Sequence, residues 1–135
     1  MKNLKDSTRK RPTEEQLHIA MQTYIDALNK KDIQQIISLF ADGGTIEDPV
    51  GSTIEGASAG LTRLVGALPV DATFTLDTPI RTSHDGSGAA FAMTVILNHE
   101  GKQLTIHSID VMQFDEKGLI TEMKAYYGPS NISAK

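Results

Sequence analysis

The chain has no cysteine and no tryptophan, and its aromatic residues are four phenylalanines and three tyrosines in 135 positions. Without cysteine there is no disulfide framework, no thiol nucleophile and no cysteine-based zinc site. No apolar run approaches the length of a membrane span. The opening Met1-Lys2-Asn3-Leu4-Lys5 lacks the apolar core of a secretory signal, so cytoplasmic residence is the expectation. Serine-nucleophile motifs are missing, and Gly43-Gly44 and Gly86-Ser87-Gly88 are too short and wrongly placed to cradle a phosphate. His18, His84, His99 and His107 are scattered, with no pair at metal-ligand spacing beside a carboxylate, so no metal is expected.

What is present is one domain's worth of chain, long enough to bury a proper core. Residues 1–11 carry a net charge of +4 and the remainder −8. An acidic body argues against a phosphate-backbone partner. The scattered basic start, without aromatics, reads as a disordered leader ahead of a single domain over residues 12–135.

Thr13-x-x-Gln16 has the form of a capping box, and Leu17, Ala20, Met21, Tyr24, Ile25 and Leu28 follow at helical spacing to about Lys30. Asp32-x-x-Gln35 opens a second, short helix with Ile33, Ile36, Ile37 and Phe40 as its stripe, and Asp42-Gly43-Gly44 is expected to end it. Gly51 to Gly60 reads as a loop. Leu61, Leu64, Val65 and Leu68 suggest a third helix, weakened by Gly60 and Gly66 and stopped by Pro69. The period then changes to that of strands over 73–78, 80–84, 89–98, 103–114 and 120–127, separated by turn chemistry. Short turns between successive strands imply an antiparallel meander. Helices first and strands afterwards give an α+β domain with three N-terminal helices on one face of a sheet. Both faces of the 89–98 segment are apolar, which predicts a second covering, most simply an identical subunit.

Three side chains sit where polar groups are costly. In Thr45–Gly51, strand alternation places Asp48 with Ile46 and Val50, and Pro49 holds it at the end of an extended run. The same Asp-Pro-x-Gly is also a common turn. Along 103–114, Asp110 shares a face with Leu104, Ile106, Met112 and Phe114, with Ser108 small between them and no cation on that face. A buried carboxyl without a basic partner has a raised pKa, and when protonated it donates a hydrogen bond. Tyr24 lies on the apolar stripe of the first helix and needs a partner for its phenol. Two neutral donors and one carboxylate base make a kit for moving a proton α to a carbonyl.

The colinear segments Tyr24-Ile25-Asp26-Ala27-Leu28, Leu39-Phe40-Ala41-Asp42, Ile46-Glu47-Asp48-Pro49-Val50-Gly51, Ile109-Asp110-Val111-Met112 and Met123-x-Ala125-Tyr126 resemble the ketosteroid isomerases of the NTF2-like, SnoaL-like superfamily. That family is the standard example of a carboxylic acid kept neutral in order to donate a hydrogen bond. The resemblance implies an NTF2-like cone with a curved, mostly antiparallel sheet, and a homodimer. It implies a steroid Δ5-Δ4 isomerase in which Asp48 carries a proton from C4 to C6 of a 3-oxo-Δ5 steroid while Tyr24 and Asp110 form the oxyanion hole. No cofactor and no metal are implied; the partner is an apolar small molecule, with neither nucleic acid nor membrane. The chain departs from some relatives in having Arg63, Leu64 and Val65 where a supporting tyrosine would lie. Alternatives are a SnoaL-like cyclase or hydrolase, or a non-catalytic NTF2-like binding domain. A hydrolase would need an Asp-Arg-Asp water-activating set, which the positions of Arg63 and Arg81 do not suggest.

Overall fold

The computed structural model describes residues 11–135. Of the expected leader only Arg11 is among them; the rest lies outside the described residues. Arg11 is partly buried and donates through Nη1 to the Phe114 carbonyl at 3.4 Å.

Helix α1 spans Glu14–Lys30 behind the expected capping box. The Thr13 hydroxyl accepts from Gln16 N, and the Gln16 side chain accepts from Thr13 N. Its buried face is Leu17, Met21, Tyr24, Ile25, Ala27 and Leu28. Lys31, at φ 55, closes it. Helix α2 is Ile33–Ser38, capped by Asp32.

Here the structure departs from the expected stripe. Phe40 does not continue α2 but opens strand β1, Phe40–Glu47, which contains the Asp42-Gly43-Gly44 expected to be a stop. The reason is non-local. Ile120 N donates to the Leu39 carbonyl at 2.8 Å and Phe40 pairs with Ile120, so a distant strand draws this segment into the sheet. The pairing then jumps to Thr45↔Glu122, with Gly43 at φ 78 absorbing the irregularity.

The expected 51–60 loop is also shorter. Glu55–Gly56 form β2 against Thr45 and Ile46, and helix α3 runs Ala57–Gly66. Gly60, read as a weakness, is a point of close approach. A Cβ there would stand 2.6 Å from Ile46 Cδ1, so the missing side chain lets α3 lie directly on β1.

The remaining strands are β3 (Thr73–Leu76), β4 (Arg81–Thr82), β5 (Gly88–His99), β6 (Lys102–Phe114) and β7 (Ile120–Tyr126). A 3-10 turn, Pro129–Asn131, leads into β8, Ile132–Ala134, an element not expected from sequence. The sheet order is β2-β1-β7-β6-β5-β3, with β4 also on β5 and β8 also on β6. The meander β5-β6-β7 is antiparallel as expected, whereas β1 and β7 run parallel. The architecture is three helices on an open, curved, mostly antiparallel sheet, the NTF2-like fold. No helix among the described residues is long and apolar enough to cross a membrane. The core lies between helices and sheet, where Leu17, Met21, Ile36, Ile46, Leu61, Met112, Ile120 and Met123 are fully buried.

Candidate active site

Strand β1 ends at Glu47, and the chain turns just beyond it. Val50 N donates to the Ala125 carbonyl of β7 at 2.8 Å, which pins the turn to the sheet. Glu47 serves this turn by accepting from Gly51 N at 2.8 Å, and Gly51 takes φ 101, where a side chain would be strained. The two adjacent acids are thereby separated: Glu47 caps the turn, and Asp48 faces the interior.

Asp110 is on the inner face of β6 and only 2% exposed. Its neighbours in register are Phe91 on β5 and Ala125 on β7, neither of which offers a charge. Among the described residues no ion pair involves it. Ser108, two positions earlier on the same face, donates its hydroxyl to Asp110 Oδ1 at 3.0 Å. Tyr24, 3% exposed, comes from α1 and tilts its ring against Phe91 with 6.5 Å between centroids. Tyr24 therefore stands over the strand pair that carries Asp110.

Tyr24, Asp48 and Asp110 line one cavity of about 220 Å³. Leu61, Leu64, Val65 and Leu68 wall it from α3 and the segment after it, and Phe74, Met93 and Val95 from the sheet. Ser108 and Tyr127 also line it, two residues that do not stand out as site residues in the sequence. The sequence still holds a signal for each. Ser108 is a hydroxyl on the same strand face as a buried acid. Tyr127 has the parity of Met123 and Ala125, both of which point inward.

Burial is the main force on every ionisable group here. It pushes the Asp110 carboxyl up to about 7, helped by the charge of Asp48 and opposed by the Ser108 hydroxyl. Burial raises Asp48 as well, while the neighbouring Tyr127 hydroxyl and the positive charge of Arg63 pull it back down. Both phenols are held neutral, by burial first and then by the two carboxylates for Tyr24, and by burial and Asp48 for Tyr127. The cavity thus holds two carboxyls that burial disfavours as anions, of which Asp48 alone has both a phenol and a cation beside it to draw it back toward ionisation, alongside two phenols that keep their protons.

Arg63 lies closer to this chemistry than its sequence position suggested. It shares a shallow rim hollow with Asp48, Ser52, Thr53 and Glu55, but its guanidinium is bound to the Glu55 carboxylate and does not line the cavity. At the place where a supporting tyrosine would lie, Leu64 and Val65 contribute only apolar wall, and the Tyr24 hydroxyl has no bonded partner among the described residues. His107 is exposed on the outer face of β6, where Nδ1 meets Thr94 Oγ1 at 3.0 Å. Among the described residues no three His, Asp or Glu side chains cluster as a metal site requires.

Residues 21–123 match the SnoaL-like domain. The chain belongs to the SnoaL-like family. A relative in that class of protein is the steroid Δ-isomerase of Nocardioides simplex, 32% identical over 114 residues, which are 84% of this chain and 90% of the relative. Among solved structures, the epoxide hydrolase/cyclase-like enzyme SalBIII, with a role in pyran ring formation in polyether salinomycin, superposes with a TM-score of 0.79. The match covers 90% of this chain and 98% of SalBIII at 22% identity, a likeness of fold.

Proposed function

We propose that this SnoaL-like protein is a ketosteroid isomerase-type enzyme that converts a 3-oxo-Δ5 steroid to its conjugated Δ4 isomer. The observation that carries the reading is one apolar cavity in which the Asp48 carboxylate meets two hydroxyl-bearing groups, Tyr24 and Asp110, whose ionisation burial opposes. In the reaction, the Asp48 carboxylate takes a proton from C4. The electron pair moves into a dienolate whose charge gathers on the C3 oxygen. Tyr24 O–H and the protonated carboxyl of Asp110 donate to that oxygen. Asp48 then returns the same proton to C6, leaving the double bond conjugated with the ketone. No proton is lost and no redox partner is needed. The isomerase class is supported by the SnoaL-like family and the steroid Δ-isomerase relative.

The other two readings are disfavoured by particular residues. A water-activating Asp-Arg-Asp set is not assembled among the described residues, because the Arg63 guanidinium is turned to Glu55 on the rim. A binding module would have no use for two carboxyls in apolar surroundings, since each lowers stability unless it is used.

The test is the ultraviolet absorbance of the conjugated enone as the protein is mixed with a Δ5-3-ketosteroid. Asp48→Asn is expected to abolish most of the turnover, by about 10²-fold or more. Tyr24→Phe and Asp110→Ala each remove one oxyanion donor, worth up to about 3–4 kcal/mol of barrier. Wild-type protein no faster than buffer would overturn the reading.

A further inference from the structure

Packing alone does not require a hydroxyl at Ser108. Ser108 is 5% exposed and lines the cavity, where a small apolar residue would fill the same space without any polar group. Instead it donates to one particular oxygen of Asp110, Oδ1, at 3.0 Å. Asp110 has no other bonded partner among the described residues, and Phe91 and Ala125 flank it with hydrocarbon.

A carboxylic acid can carry its proton on either oxygen, and only one of the two can face a ligand. An oxygen that already accepts a hydrogen bond is the poorer place for the proton. We propose that Ser108 is a positioning residue of this site: by occupying Oδ1 it assigns the carboxylic proton to Oδ2, so that Asp110 presents a single, oriented donor to a substrate carbonyl. This rests on the isomerase reading for its consequence and on geometry alone for the hold itself. The arrangement has a cost. The same hydroxyl also favours the ionised form of Asp110, so it narrows the alkaline range over which the donor survives. The groups facing Asp110 across the cavity are Asp48 from the end of β1, Tyr24 from α1 and Tyr127 after β7. Of these only Asp48 is charged near neutrality, and it acts on Asp110 in the opposite sense to Ser108.

Ser108→Ala separates this role from simple packing, because it moves two readouts in opposite directions. The plateau of turnover falls about fivefold, the worth of one neutral hydrogen bond. At the same time the alkaline limb shifts to higher pH, since the bond that favoured ionisation is gone. A carbon-13 titration of the Asp110 carboxyl, assigned against Asp110→Asn, shows the same upward displacement without any substrate. Ser108→Thr keeps the hydroxyl and returns both readouts toward wild type. An Asp110 titration unmoved by Ser108→Ala, or a plateau unchanged by it, overturns the proposal. Absence of steroid turnover in the wild type would sink the isomerase reading by itself, and the carboxyl titration would still decide whether Ser108 holds Asp110.

Discussion

Asp110 is a carboxyl group with only the Ser108 hydroxyl to favour its ionisation, against burial and the charge of Asp48. With no cation beside it and a second acid across the cavity, it keeps its proton up to about pH 7. The proposed chemistry asks for opposite states of two coupled acids, Asp48 ionised and Asp110 protonated, so kcat/KM is expected to be bell-shaped in pH with its alkaline limb near 7. Asp110→Asn keeps an N–H donor that cannot titrate, and its alkaline limb should disappear. Tyr127→Phe removes the hydroxyl that favours ionised Asp48, and the acid limb should move to higher pH. Rate profiles measured from pH 4 to about 9 check both. Stability follows from the same shift. The folded Asp110 carboxyl titrates above its unfolded value of 3.8, so the native state holds an extra proton between about pH 4 and 7 and loses stability as pH rises through that window. Above it the loss is constant. Asp110→Asn removes this term, and its stability relative to wild type should rise by about 1–3 kcal/mol between pH 5 and 8 in urea titrations. An unchanged difference would place the native Asp110 pKa near that of an ordinary carboxylate.

At the scale of elements, what was legible in the sequence was what is local. The α1 capping box, the inward stripe that includes Tyr24, and the alternation that puts Asp110 inside β6 all depend on neighbours a few residues away. The parallel pairing of β1 with β7, the bulge at Gly43 and the edge strand β8 depend on segments some eighty residues distant, or on a register no local pattern records. That is why Phe40 read as helix. The same distinction runs through the site. Carboxyls on apolar faces stand out because burying them is costly, whereas a serine or tyrosine hydroxyl is cheap enough to bury that Ser108 and Tyr127 passed as filler. A non-local clamp shows how the cavity wall is fixed. Strand β3 is an edge strand, and Asn29, at the end of α1, takes both of Phe74's outward backbone groups: Nδ2 donates to the carbonyl at 2.9 Å and Oδ1 accepts from the amide at 2.8 Å. The side chain acts as one more strand residue, closing the edge and tying the helix of Tyr24 to the wall of Phe74. Asn29→Ala strands a partly buried N–H and C=O together, and should cost about 1–3 kcal/mol in chemical denaturation. Asn29→Asp, which keeps the acceptor and loses the donor, should fall between the two. Equal stabilities for all three would show that water replaces the clamp.

The whole molecule has a face that the helices leave uncovered. Along β6 the inner positions Ser108, Asp110 and Met112 are buried, while Ile109 between them is 51% exposed. It aligns with Ala92 on β5 and Tyr126 on β7, the latter 48% exposed, and Val111 aligns with Ala90. These side chains all point away from the cavity; the Ala92–Ile109–Tyr126 row forms an apolar strip across three adjacent strands, bordered by Lys124 beside Val111 and by Thr94 and His107 in the next row. An exposed apolar row of this kind is suited to a partner, and we propose a second copy of the same surface in a two-fold contact. The expected species at micromolar concentration is therefore a homodimer, with twice the 14.6 kDa chain mass by light scattering. Ile109→Lys places a charge at the middle of the strip without touching the inner face, and should yield the single-chain mass with an unchanged circular dichroism spectrum. The outcome also bears on the site, because β6 carries the strip on one side and Asp110 on the other. If pairing of two sheets stiffens β6, the monomeric variant should turn over more slowly per chain, and wild-type activity per chain should fall on dilution through the dissociation range. A wild-type mass of one chain would leave the strip unpartnered and remove any dependence of the cavity on a second subunit.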